Sequence, residues 1–166
     1  MNNGSEWNHH IDDVVKKVNK RLYFLKQLKR AKVPCKSLAT FYTSCIRSVI
    51  DYAIPVFYHA LPQYLQNDLK RLEKRAMAII MPTESYTNTL NILGIPSLKD
   101  HHEQLCAKLF RSVVSDTNHK IYNLLPNRNQ PSYNLRQERT FNTPMTHTNR
   151  VRNSFIYAMC NKHNLG

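Results

Sequence analysis

Ile11, Val14, Val15, Val18, Leu22, Leu25 and Leu28 recur at intervals of three and four residues, so a helix places all seven on one face. Such a helix cannot stand alone. Burying seven apolar side chains does not offset the conformational entropy of fixing roughly twenty residues, so the segment must pack against other helices. Asp12 and Asp13 lie in its first turn and Lys26, Lys29 and Arg30 in its last, both in the sense that the helix dipole favours. Pro34 marks the stop, and the helix is predicted from about Ile11 to about Lys29.

The same period continues in segments separated by prolines. Ser37 is the expected N-cap of a second helix, with Leu38, Phe41, Tyr42, Cys45, Ile46, Val49, Tyr52 and Ala53 on its apolar side. Thr40, Thr43, Arg47 and Asp51 fall on the opposite side, with Arg47 and Asp51 spaced to pair across one turn. Pro62 and Pro82 bound a third helix, Gln63 to Met81, whose buried stripe is Leu65, Leu69, Leu72, Ala76, Ile79 and Ile80. A short helix from Ser85 should end at Gly94 in the left-handed conformation, and Ser97 with Asp100 should open a longer one carrying Leu98, Leu105, Leu109 and Val113. Three glycines in 166 residues argue against a sandwich or barrel with many tight turns. The expectation is an all-α fold: a small helical bundle of about five helices over residues 1–126. A basic, partly irregular C-terminal tail follows over 127–166, in which Ser154 to Cys160 is a short apolar docking segment.

Charge is distributed unevenly. Between Val14 and Ile50 there are ten Lys and Arg and no acid, within a chain of formal net charge +13. A second run, Lys70, Arg71, Lys74 and Arg75, is tempered by Asp68 and Glu73. One-signed charge repels itself and is commonly balanced by a polyanion. Lys16, Lys17, Lys20, Arg21, Lys29, Arg30, Lys70, Arg71 and Lys74 are therefore the expected contacts to the backbone of RNA, of an RNA–DNA hybrid or of duplex DNA. Tyr23 and Phe24 lie among these cations, where stacking on bases is open to them, although bulky aromatics more often pack on a neighbouring helix.

Catalytic constellations do not assemble. Asp12-Asp13 echoes a polymerase palm signature, but these carboxylates open a helix rather than a hairpin. His102 with Cys106, and Cys160 with His163, have ligand spacing but are separated by more than fifty residues, short of a zinc site. Cys45 falls on the apolar side of its helix, where a thiol is inert. No phosphate-binding glycine loop and no nucleophile elbow occur. No cofactor, metal or catalytic residue is expected. The four cysteines read as reduced thiols of an intracellular protein, in nucleus or cytoplasm, and the longest apolar stretch is too interrupted to span a membrane.

The motifs Trp7-x-x-His10-Ile11, Lys17-x-x-Lys20-Arg21-Leu22-x-x-Leu25-x-x-Leu28-Lys29-Arg30-Ala31, Phe41-Tyr42-x-x-x-Ile46-Arg47-Ser48-Val49, Tyr52-Ala53-x-Pro55-Val56 and Leu72-Glu73-Lys74-Arg75-Ala76-x-x-Ile79-Ile80 follow in order. Leu105-Cys106-x-x-Leu109-Phe110, Leu124-Leu125-Pro126, Tyr133-x-Leu135-Arg136 and Arg150-x-x-Asn153-Ser154-Phe155-Ile156 complete the series. The series resembles the thumb and C-terminal region of reverse transcriptases from non-LTR (LINE-type) retrotransposons, without their fingers and palm. That resemblance implies a non-catalytic, sequence-independent nucleic-acid-binding fragment whose first helix grips a template–primer duplex through Lys16, Lys17, Lys20 and Arg21. It also implies a palm domain or a second copy of the chain as a partner. Glu73 stands where that family usually has Gln, and His101-His102 where it usually has two arginines, each change removing affinity for phosphate at neutral pH. The alternatives are a helical scaffold that self-associates or binds another protein, and a degenerate fragment with no independent function.

Overall fold

A computed structural model describes residues 4–52, 54–128, 140–143, 145–146 and 148–165. The helices are α1 (Gly4–Arg30), α2 (Cys35–Phe41), a π segment (Tyr42–Arg47), α3 (Ser48–Asp51), α4 (Ile54–Phe57), α5 (Gln63–Ile80), α6 (Tyr86–Leu93), α7 (Leu98–Ser115), α8 (Asn149–Arg152) and α9 (Phe155–Leu165). The protein is all-α; an isolated antiparallel bridge between Arg128 and Phe141 is the one strand-like pairing among the described residues. No described helix is long and apolar enough to cross a membrane.

The chain divides into two compact units, one of residues 1–52 and 61–101, the other of 53–60 and 102–166. In the first, α1 packs along α5 on one side and along the α2–π–α3 rod on the other. Ile11, Val14, Val18, Leu22 and Leu25 of α1 meet a core completed by Leu38, Tyr42, Ile46 and Ile50 of the rod and Leu65, Leu69, Leu72, Ala76 and Ile80 of α5, all buried. The Tyr64 hydroxyl donates to Asn8 Oδ1 (2.6 Å) and Arg75 Nη1 to Asn19 Oδ1 (2.9 Å), so α1 and α5 run side by side in the same direction. Lys29 reaches Cys35 and Arg21 reaches Cys45, which makes the rod antiparallel to α1.

The helix ends follow local rules except at the start of α1, which begins at Gly4 rather than near Ile11, so Asp12 and Asp13 lie inside the helix and not in its first turn. Lys32 (φ 59°) and Gly94 (φ 63°) both take the left-handed conformation. Val33 N–H donates to Leu28 O (3.2 Å) and Ile95 N–H to Leu90 O (3.0 Å), closing α1 and α6 in the same C-terminal motif. Gly94 is the expected stop; Lys32 is a stop that its side chain concealed. Ser85 Oγ accepts Asn88 N–H (3.2 Å), and Ser97 Oγ accepts Asp100 N–H (3.3 Å) while donating to its carboxylate (2.6 Å). Ser37 is not an N-cap. Pro34, extended at ψ 144°, caps α2, and its carbonyl accepts Leu38 N–H at 3.1 Å, leaving Ser37 inside the first turn.

The rod departs from a uniform helical period. Leu38, Tyr42, Ile46 and Ile50 are spaced by four, and in an α-helix that spacing would wander by about 120° over the rod. The wider turn of the π segment holds the four residues on one buried face. The consequence is a correction: Arg47 is 4% exposed and lies inside the unit, whereas Tyr52 is 74% exposed and leaves the core. Arg47 faces Glu73, and Asp51 lies 2.9 Å from His101. Cys45 is half-buried rather than enclosed.

The second unit gathers Ile54 and Phe57 of α4, Tyr58, Cys106, Phe110 and Val113 of α7, Phe141, and Phe155, Met159 and Cys160 of α9 into one core. The Asn164 side-chain amide clamps Phe141, accepting its N–H (3.0 Å) and donating to its carbonyl (2.9 Å). Phe141 and Phe110 stack edge to face with centroids 6.0 Å apart.

Candidate nucleic-acid interface

The outward stripe of α1 carries Lys16, Lys17, Lys20, Tyr23, Phe24, Lys26 and Arg30, all exposed. The seam contacts show how this stripe meets α5. Asn8 and Asn19 mark the edge of α1 that faces α5, and Tyr64 and Arg75 mark the facing edge of α5. By helical geometry, Lys16, Lys26 and Arg30 flank that seam from α1, and Arg71 and Arg75 flank it from α5. Lys20 lies on the outer crest of α1, and Lys17 turns toward the α2 side. Lys70 and Lys74 turn toward α6, where the Lys74 ammonium sits 5.8 Å from the centre of the Tyr86 ring.

Two of the expected contacts are engaged inward. Lys29 Nζ donates to Ile80 O (2.8 Å), neutralising the carbonyl end of α5, and Arg21 donates to Cys45 O within the π segment. Acids compensate the rest sparingly. Asp13 lies 3.4 Å from Lys16 and 3.5 Å from His9, and Asp68 lies 2.8 Å from Arg71. Among the described residues, Lys17, Lys20, Lys26 and Arg30 have no carboxylate partner.

Glu73 does not temper the second basic run. It is 1% exposed and turned inward, where Oε1 accepts from Tyr42 (3.2 Å) and Oε2 from Tyr86 and from Leu98 N–H (3.1 Å). Arg47 Nη2 lies 3.5 Å from Oε1 and donates to Pro96 O at 2.6 Å. Burial, and then the neighbouring Glu73 carboxylate, push the Tyr42 phenol well above its usual range. Burial and the hydrogen bond to Glu73 do the same to Tyr86. Both tyrosines are therefore permanent donors. This polar knot ties the π segment, α5, α6 and the start of α7 together within the first unit, and its signal in the sequence, an acid amid a basic run, resembles an ordinary surface charge.

In the second unit, burial pushes the Cys106 and Cys160 thiols up to about 11, the former with a small opposing pull from Lys162, so neither is a ready nucleophile. His102 and Cys106 are buried while His163 is exposed, and among the described residues no group of three or more His, Cys, Asp or Glu could hold a metal ion. Burial and Lys162 also push the His59 imidazole below its usual value, against a weaker pull from Glu103. The folded unit therefore binds that proton less well than the unfolded chain. The stabilisation is complete above the ordinary value of 6.5 and is lost as pH falls through it toward the folded value. Between about pH 7.5 and 5.5, the melting temperature of the wild type should fall further than that of His59→Gln. Equal falls would assign the pH dependence elsewhere.

The tail motif around Tyr133, Leu135, Arg136 and Arg139 lies outside the described residues. No curated protein and no solved structure matches the chain. Residues 7–48, about a quarter of it, match the family described as alkylated DNA repair protein alkB homolog 8, N-terminal. This match overturns the resemblance to a reverse transcriptase thumb, and with it the detached-thumb function, because it covers the segment in which that resemblance is densest. The physical reason lies in what the motif residues do. Val18, Leu22 and Leu25 fill a core while Lys17 and Lys20 face outward, a pattern open to any basic amphipathic helix. The match spans α1, α2 and the π segment, so the part of this chain similar to an alkylation-repair protein is the part that presents the α1 cations.

Proposed function

We propose that the chain is a non-catalytic accessory module that holds the phosphate backbone of RNA or DNA on the α1–α5 face, in the service of nucleic-acid repair or modification in nucleus or cytoplasm. One observation carries the reading: cations of two adjacent parallel helices share a face on which Asp13 and Asp68 pair with Lys16 and Arg71 only, while Glu73 turns inward. The similarity of residues 7–48 to a family named for repair of alkylated DNA supports the choice of a nucleic acid as the polyanion.

The test is salt dependence. If about five phosphates are neutralised, log K falls with log[salt] at a slope near −4.5, and affinity drops roughly 500-fold between about 50 and 200 mM salt. Fluorescence anisotropy with labelled RNA and duplex DNA measures this directly. A slope near zero for both would remove the proposal.

A further inference from the structure

Tyr23 and Phe24 are 60% and 57% exposed, adjacent on the outward stripe of α1, with ring centroids 5.9 Å apart at an interplanar angle of 73°. The apolar face of α1 does not need them; Val18, Leu22 and Leu25 already fill it. Lys20 stands one turn before both rings and Arg30 about two turns after them, some 15 Å apart along the axis, with Lys16 and Lys26 beside them. We propose that this aromatic pair is a base-stacking platform, so that the preferred ligand of the face is single-stranded nucleic acid with unpaired bases. The inference rests on the backbone-binding reading above and adds a ligand class to it.

Charge and ring geometry together select the occupant. A second copy of a chain of formal charge +13 would bring cations against cations, and an apolar protein helix would desolvate lysines without pairing them. A polyanion satisfies the flanking cations. Among polyanions, a duplex hides its base faces in its own stack and offers the rings sugar and phosphate, whereas a single strand offers a π-face at each nucleotide. Two rings set edge to face cannot both lie flat on one base, so neighbouring nucleotides splayed around the pair would use both.

The experiment compares three labelled probes of equal phosphate count on the full chain: a mixed-sequence single strand, a duplex of half its length, and an abasic single strand. The wild type should bind the base-bearing strand about 5- to 150-fold more tightly than the abasic one, the effect of one stacked base, and more tightly than the duplex. Tyr23→Ala with Phe24→Ala should erase that preference while duplex affinity, salt slope and helical circular dichroism stay unchanged. Tyr23→Phe should retain it. Equal affinity for base-bearing and abasic strands, or an alanine variant that keeps the preference, overturns the platform while salt-dependent binding leaves the backbone reading standing. Salt-independent or absent binding to every probe overturns both. A concentration-dependent dimer lost in the alanine variant would assign the rings to self-association and overturn the platform as well.

Discussion

Glu73→Ala should destabilise the first unit by about 3–5 kcal/mol, the cost of leaving a buried charge without its counterpart. Arg47, 4% exposed, would keep its guanidinium inside with Pro96 O as an acceptor but no carboxylate. The Tyr42 and Tyr86 hydroxyls and Leu98 N–H would lose their acceptor at the same time. Glu73→Gln keeps the shape and one acceptor oxygen and should cost less. Replacing both members, Arg47→Met with Glu73→Leu, should recover only the part of the loss due to the unpaired Arg47 charge, because Tyr42, Tyr86 and Leu98 N–H still lack their acceptor. Urea unfolding followed by circular dichroism orders the three variants. If Glu73→Ala lies within about 1 kcal/mol of wild type, the knot does not organise the unit.

The second large effect concerns affinity. Changing Lys16, Lys20, Arg71 and Arg75 together to Gln should flatten the salt slope from about −4.5 to about −0.9 and weaken binding about a thousandfold near 150 mM salt. These side chains are exposed, so stability should move little. Lys29→Gln and Arg21→Gln make the matching control. Both side chains bond backbone carbonyls inside the unit, and their replacement should lower the melting temperature while leaving the salt slope nearly intact. Were the slope to respond to Lys29 and Arg21 and not to the four exposed cations, the interface would lie on another face.

The charge-bearing face was more legible in the sequence than its members. Ten cations without an acid between Val14 and Ile50 announce a basic surface, and helical period already sets Lys29 on the side of α1 opposite Lys20, but it could not show that the Lys29 ammonium caps a different helix. Resemblance by motif was a poorer guide still. Motifs made of core leucines and outward lysines describe how a helix packs and is solvated, and those requirements are shared by unrelated proteins.

The order of helices, the stop at Gly94, the caps at Ser85 and Ser97 and the buried stripes of α1 and α5 follow from residues within a turn or two of each other, where backbone geometry and side-chain hydrogen bonds act locally. The inward turn of Arg47 and Glu73, the release of Tyr52 to solvent and the pairing of Asp51 with His101 were decided by tertiary structure. A π segment changes the phase of everything after it, and it is held by contacts from α1 and α5 that no local pattern encodes. A buried ion pair is stable only when both charges and their remaining hydrogen bonds arrive together from distant parts of the chain.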